Sequence, residues 1–227
     1  MKKQGNMYQW AKPWNPLGGE CPHKCSYCST KTMMRFPEVR YKYSGDIRLF
    51  SALHKNPGNK EGQIIFVCAQ NDLFAKEVPD WMIKAVMLQC KIYGQHTYFF
   101  QTKNPVRYLK YLPDFRWSSI LCTTIETNRW YPEIMRNTPH PELRAAAMNR
   151  ITSFEKQITI EPIIKFDLDE MVSMIKYCGP TKVNIGADSK HNHLPEPSKD
   201  KLLALIDALK EFTVIERKTN LERLLKQ

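Results

Sequence analysis

The feature that most constrains the fold is a regular alternation of short apolar runs with helical patterns. The runs fall at residues 64–69, 97–100, 119–125, 158–164, 182–185 and 212–215. They are rich in β-branched residues and nearly continuous, as strands buried on both faces are. Helix signals lie between them. Asp80 is a capping residue ahead of 81–93 with Gly94 as terminator, Asn104-Pro105 opens a short helix to Leu112, and 141–150 is Ala-rich. Residues 167–178 end at Gly179-Pro180, and Ser198 precedes a segment whose Leu202, Leu205, Ile206 and Leu209 share one face. Such alternation predicts an α/β fold with a parallel sheet. A first short strand at 14–17 brings the count to six or seven, too few for a closed eight-stranded barrel. The expectation is one domain over 1–227: an open, partial TIM-type barrel of about six parallel strands with outer helices, spanning about 14–220.

Cys21, Cys25 and Cys28 lie in the run Cys-Pro-His-Lys-Cys-Ser-Tyr-Cys, within a loop at 18–31. Three thiolates are one short of filling the four irons of a cubane cluster, which leaves one iron open to a ligand. The alternative is a structural zinc site with His23 or a distant cysteine as fourth ligand. His23 is only two residues from Cys21 and Cys25, tight for a tetrahedron, and no second Cys-x2-Cys or His pair follows. His23 itself reads as a loop residue. The spacing, with Tyr27 just before the third cysteine, resembles the signature of the radical S-adenosylmethionine (SAM) superfamily. That resemblance implies a 4Fe-4S cluster on Cys21, Cys25 and Cys28, SAM on the open iron, Tyr27 beside the adenine, and the open-barrel fold.

In barrels of strand–helix units the active site lies at the C-terminal strand ends. Polar residues follow every run: Gln70, Asn71 and Asp72; Gln101, Thr102 and Lys103; Thr123, Thr124 and Glu126; Glu161; Gly186 and Asp188; Glu216 and Lys218. For a SAM site, Asn71 or Asp72 suits the ammonium, Lys103 the carboxylate, and Thr124 with Glu126 the ribose. Glu161, Asp188 and Glu216 are the acids best placed for the substrate step.

The runs Val67-Cys-Ala-Gln-Asn-Asp-Leu-Phe, Phe100-Gln-Thr-Lys-Asn-Pro, Thr124-Ile-Glu and Ile160-Glu-Pro resemble a phage- and prophage-associated radical SAM family related to the spore photoproduct lyases. The likeness runs from about residue 14 to 188. It implies reductive cleavage of SAM to a 5′-deoxyadenosyl radical that abstracts hydrogen from a substrate C–H bond, with an electron donor of flavodoxin or ferredoxin type. The lyases carry a hydrogen-donating cysteine on the second strand, where Ala69 stands here. Cys68 is one residue earlier, and a one-residue offset turns a side chain to the opposite face, so Cys68 reads as core.

Charge narrows the partners. Residues 1–60 hold eleven Lys/Arg against three acids, +8 of the net +11. Between Arg35 and Arg48 the bases interleave with Tyr41 and Tyr43, a composition that suits phosphates and stacked bases and equally a solvated basic face. The substrate expectation is a nucleobase, or its side chain, in viral DNA or a nucleotide. A peptide or small molecule is the enzymatic alternative, and a metal-stabilised nucleic-acid-binding module the non-catalytic one. No apolar run is long enough to span a membrane. The unpaired Cys68, Cys90, Cys122 and Cys178 read as buried free thiols, consistent with a cytoplasmic setting. Trp10 and Trp14 read as core. His191 and His193 form a His-x-His pair in a loop stiffened by Pro195 and Pro197, read as an exposed tip ahead of a second metal site.

Overall fold

A computed structural model describes residues 8–190 and 192–226. His191 of the His-x-His pair lies outside the described residues. Among the described residues nine strands run β1 Ala11–Trp14, β2 Leu17–Gly18, β3 Arg48–Leu49, β4 Ile64–Val67, β5 Thr97–Thr102, β6 Ile120–Thr124, β7 Glu155–Ile160, β8 Lys182–Ile185 and β9 Val214–Arg217. The helices are α1 Ser29–Met33, α2 Pro37–Tyr43, α3 Asp80–Ile92, α4 Tyr108–Tyr111, α5 Pro132–Met135, α6 Pro141–Asn149, α7 Leu168–Cys178, α8 Lys199–Lys210 and α9 Glu222–Leu225. Seven strands form one all-parallel sheet in the order β1-β4-β5-β6-β7-β8-β9. It is curled into a half-barrel with flanking helices. The open barrel expected from the alternation is correct, with one strand more than the central estimate.

The period-2 geometry of a strand divides the core. Ile65, Val67, Tyr98, Phe100, Leu121, Val183 and Ile185 pack with apolar residues of α3, α7 and α8 in the main core. The alternate positions Phe66, Phe99, Ile120 and Cys122 join Tyr8 and Ala11 in a second, smaller cluster. Tyr8 packs on Phe66 and Phe99, with ring centroids 5.2 and 4.6 Å apart. Beyond this apolar plug the same face of the sheet turns polar: Gln101, Thr124 and Thr159.

Several boundaries differ from the sequence reading. The first strand is Ala11–Trp14 rather than 14–17. It is an edge strand, so Pro13, which has no N–H to give, does no harm. Trp14 is core as expected, and its Nε1 donates to Ala52 O at 2.8 Å. β7 begins three residues earlier than the apolar run, and Ile163 and Ile164 are buried beyond its end. β9 lies two residues later than expected. Asp80 does not cap from outside: it is the first residue of α3, and its carboxylate receives Arg107, Lys110 and Tyr111. Ser198 does cap α8, accepting from Lys201 N. Cys68, Cys90, Cys122 and Cys178 are all buried and free. No described helix is long and apolar enough to cross a membrane.

Candidate active site

A cavity of about 800 Å³ opens at the C-terminal ends of the strands. Residues at or just beyond the C-terminal ends of β4, β5, β6, β7, β8 and β9 all contribute to its wall, together with the cysteine loop. The size is that of a cofactor or ligand pocket.

The loop leaves the sheet through a small clasp. β2 pairs antiparallel with β3, Leu17 opposite Leu49 and Gly18 opposite Arg48. Gly19 has φ +88°, and a Cβ there would lie 2.3 Å from Asp46 O. Only glycine fits both demands. Past this point the backbone is pinned from several sides. Asn71 Nδ2 donates to Gly19 O at 3.0 Å, Asn137 Nδ2 to Pro22 O at 3.0 Å, and Ser26 N to Ile134 O at 3.0 Å. Cys21, Cys25 and Cys28 all line the cavity. Cys25 is buried; the other two are partly exposed. Burial first, then the Asp72 charge, pushes the Cys21 thiol up to about 12.

Asp72 lies beneath the loop and is a hub. It accepts from His23 Nε2 at 2.9 Å, Thr102 Oγ1 at 2.6 Å, Lys103 N at 2.8 Å and Phe74 N at 2.9 Å. Burial alone would raise its pKa; the His23 charge and these hydrogen bonds outweigh it and hold the carboxyl below its ordinary value. His23 is therefore a buried partner, not the plain loop residue of the sequence reading. Its Nδ1 faces Asn137 O at 3.4 Å, so neither ring nitrogen is left over for zinc. Among the described residues no three His, Cys, Asp or Glu side chains converge as one metal ion requires. A cubane makes a different demand, since each thiolate meets its own iron. Three free thiols on the wall of one roomy cavity fit that group.

A second hub is built on Glu126, which is fully buried. Arg144 Nη1 reaches it at 2.7 Å, Lys103 Nζ lies 3.4 Å away, and the Tyr27 hydroxyl donates to it. Burial opposes ionisation, but Arg144 and Lys103 bring the carboxyl down to about 2. Arg144, itself fully buried, also donates to Pro139 O, Thr124 O and Thr138 Oγ1 at 2.7, 2.9 and 2.6 Å. Lys103 Nζ sits 5.2 Å from the centre of the Tyr27 ring. Burial disfavours its charge, yet Glu126 and Cys25 raise its pKa above the ordinary lysine value.

The expected site residues thus separate by position. Tyr27, Asn71, Asp72, Lys103, Thr124, Glu161 and Asp188 come together on the cavity wall with the cysteines. Glu126 does not line the cavity; buried behind its wall, it holds Tyr27 and Lys103. Asn71 is committed to the loop, its Oδ1 accepting from Asp72 N at 2.8 Å. Thr124 Oγ1 accepts from Gln101 Nε2 at 2.9 Å. Glu161 meets Lys218 Nζ and, at 3.3 Å, Ser189 Oγ. Asp188 holds its own loop through Lys190 N at 3.1 Å and Asn192 N at 2.6 Å. Glu216 needs correction. It is absent from the wall and pairs with Lys182 at 3.3 Å. β9 starts and stops later than its apolar run, so Glu216 is still inside the strand and Lys218 is the strand-end group that faces the cavity.

Sequence reasoning missed Tyr8, Thr159, Arg144, Asn220 and Arg223. Tyr8 closes the floor through its hydroxyl on Thr159. Thr159 was hidden in an apolar run, and Arg144 in an Ala-rich helix, where an arginine directly before three alanines was the available signal. Cys68 packs in the main core and touches the cavity wall; it sits at φ +54°, where the strand alternation has ended, and burial raises its thiol to about 12. Ala69 packs on the other cluster.

Residues 7–178 match the family described as protein of unknown function (DUF5131), and the chain belongs to that family. No curated protein matches. Among solved structures, the fold is similar to spore photoproduct lyase complexed with dinucleoside spore photoproduct. That likeness has a TM-score of 0.58 and 12% identity, over 88% of this chain and 61% of the lyase chain. A lyase mutant gives a TM-score of 0.63 at 11% identity, over 92% and 75% of the two chains. A second mutant, with bound AdoMet and dinucleoside spore photoproduct, gives 0.56 at 14% identity over 89% and 61%. The chain thus spans about three fifths of two of these lyases. The half-barrel is the radical SAM fold.

Proposed function

We propose that this chain is a radical SAM enzyme that modifies or rearranges a nucleobase, or its side chain, in DNA or a nucleotide. The observation that carries the reading is the joint opening of Cys21, Cys25 and Cys28 with Tyr27, Lys103 and Thr124 into one cavity at the strand ends. The shared fold with lyases, one of them holding AdoMet and a dinucleoside, supports it. Bound at the three cysteines, a 4Fe-4S cluster with SAM would supply a 5′-deoxyadenosyl radical for hydrogen abstraction from a C–H bond.

The protein's part is positioning and exclusion of water. Asn71, Asn137 and Ser26 N hold the cysteine loop at one height above the strand ends. Lys103, kept charged by Glu126, would present an ammonium to the SAM carboxylate, and Tyr27, tied to Glu126, would hold its ring for the adenine. Thr124 and Gln101 offer polar groups to the ribose. Substrate would enter across the wall of Glu161, Lys218 and Asp188, with Glu161 and Asp188 as the acids within reach and Tyr8 sealing the floor.

Anaerobic reconstitution with iron and sulfide, reduction, and assay for 5′-deoxyadenosine test this. Production that vanishes in Cys25→Ala, and rises with DNA or modified nucleosides, is the expected outcome. Uptake of zinc with SAM left intact would overturn the reading in favour of a binding module.

A further inference from the structure

We infer that the α1–α2 hairpin and β3 form a landing shelf for a single-stranded or locally unpaired DNA strand on its way into the cavity. This rests on the proposed nucleic-acid substrate and assigns its docking surface.

The shelf gathers five cations within residues 31–48, whereas elsewhere only part of the Lys and Arg side chains pair with a carboxylate. Lys91, Arg107, Lys110, Arg129, Lys182, Lys210, Lys218 and Arg223 each have one. Among the described residues no carboxylate pairs with Lys31, Arg35, Arg40, Lys42 or Arg48 on the shelf. Their heads rest on carbonyl oxygens and rings. Lys31 Nζ donates to Lys24 O at 3.2 Å and Arg40 Nε to Met34 O at 3.1 Å. Arg48 Nη1 donates to Ser44 O and Asp46 O, both at 2.9 Å. Carbonyl contacts fix the position of a guanidinium and leave its charge uncompensated. A row of fixed, unneutralised cations complements a phosphate backbone, whose binding releases counterions.

The aromatic groups are placed for bases. Tyr41 is 72% exposed and Phe36 47% exposed. Each carries a guanidinium: Arg35 lies 4.9 Å from the Phe36 ring centre, and Arg48 lies 5.8 Å from Tyr41 and 5.0 Å from Phe50. Exposed rings beside fixed cations are the composition of a stacking platform for unpaired bases. A duplex keeps its bases stacked and offers only phosphate to such rings.

The shelf also leads somewhere. Lys31, Met33 and Met34 at its inner end and Tyr43 on α2 line the cavity itself. A strand tracking the cations therefore meets the mouth; the shelf's own acids, Glu38 and Asp46, are exposed and absent from the cavity wall, and Glu20, which lines the cavity, is paired with Lys24 at 3.4 Å.

The test is fluorescence anisotropy of the full chain with a labelled single strand of roughly 15 nucleotides, a length that covers such a site. Removing two cations in Arg35→Gln/Arg40→Gln should weaken binding about tenfold and flatten the log–log salt slope by roughly 1.4. Tyr41→Ala should weaken single-strand binding about tenfold by loss of one stacked base, and leave duplex binding unchanged. Lys84→Gln/Lys176→Gln removes the same charge from remote exposed sites and should cost less than about threefold. Arg35→Lys/Arg40→Lys should restore the salt slope. Shelf variants that bind as wild type, or a remote variant as weak as the shelf variant, would overturn the inference. SAM cleavage without oligonucleotide, measured on the same proteins, separates the two proposals. Cleavage with shelf-independent binding removes the shelf alone, whereas shelf-dependent binding without cleavage removes the enzymatic reading alone.

Discussion

Arg144→Met is the substitution whose consequence the structure specifies most fully. The side chains are close in volume, so no large cavity forms, and the change isolates the polar term. Arg144 and Glu126 are both fully buried and 2.7 Å apart. Removing one member of such a pair costs about 3–5 kcal/mol, because the partner charge stays behind. Pro139 O, Thr124 O and Thr138 Oγ1 lose a donor at the same time. The pH dependence gives a second route to the magnitude. Glu126 is held at about 2 against an ordinary 4.5, a depression worth roughly 3 kcal/mol at about 1.4 kcal/mol per unit. A depressed carboxyl stabilises the fold above its unfolded pKa and loses that contribution as pH falls toward the folded value. The expected result is therefore a melting temperature lower by roughly 10 °C at pH 7, with the gap to wild type narrowing between about pH 4.5 and pH 2. Adding Glu126→Gln to Arg144→Met removes the stranded carboxylate but leaves Lys103 without its partner 3.4 Å away, so the double variant should recover no more than about 2 kcal/mol. Calorimetry across that pH range decides. A single variant melting within about 3 °C of wild type at pH 7, or one whose gap to wild type does not narrow toward pH 2, would refute the view of Glu126 as a charge held by Arg144.

Other expectations follow from the same geometry. Asp72→Ala strands His23, Thr102 Oγ1 and two backbone N–H groups; unfolding free energy should fall by about 3–5 kcal/mol, with less iron retained after reconstitution, read by denaturant titration and metal content. Gly19→Ala meets both a positive φ and a 2.3 Å approach to Asp46 O, so a loss of about 1–3 kcal/mol is expected in urea; an unchanged midpoint would mean the clasp is not as described. Glu216→Gln touches only the partly exposed Lys182 pair, so stability should move by no more than about 1 kcal/mol, and turnover should equal wild type; a large loss of turnover would return Glu216 to the site. Lys218→Met removes the cation beside Glu161 in the cavity; substrate-coupled turnover should drop while substrate-free SAM cleavage is kept, and an equal loss of both would move Lys218 from the substrate side to the cofactor side.

The alternation of β-branched runs with helical segments was enough to foretell a parallel, open barrel, because a strand buried on both faces and a helix packed on one leave different periods in a chain. The grouping of the three cysteines on one cavity wall was legible for a similar reason: residues of one loop are neighbours in sequence. The ends of the strands were read to within a few residues, and that error mattered where a two-residue shift keeps a side chain's face but moves it along the strand. At β9 the shift exchanged Glu216 for Lys218 as the group facing the cavity. What only the tertiary structure decided is which polar groups spend themselves on each other. Glu126 and Asp72 look like ligand-binding acids in sequence, yet Arg144, Lys103 and Tyr27 claim one, and His23 and Thr102 the other. Tyr8 and Thr159 meet across 151 residues to close the floor. Local patterns record backbone periodicity and short-range ligand sets; the satisfaction of a buried charge is settled by whichever distant donors the folded chain brings within hydrogen-bonding reach.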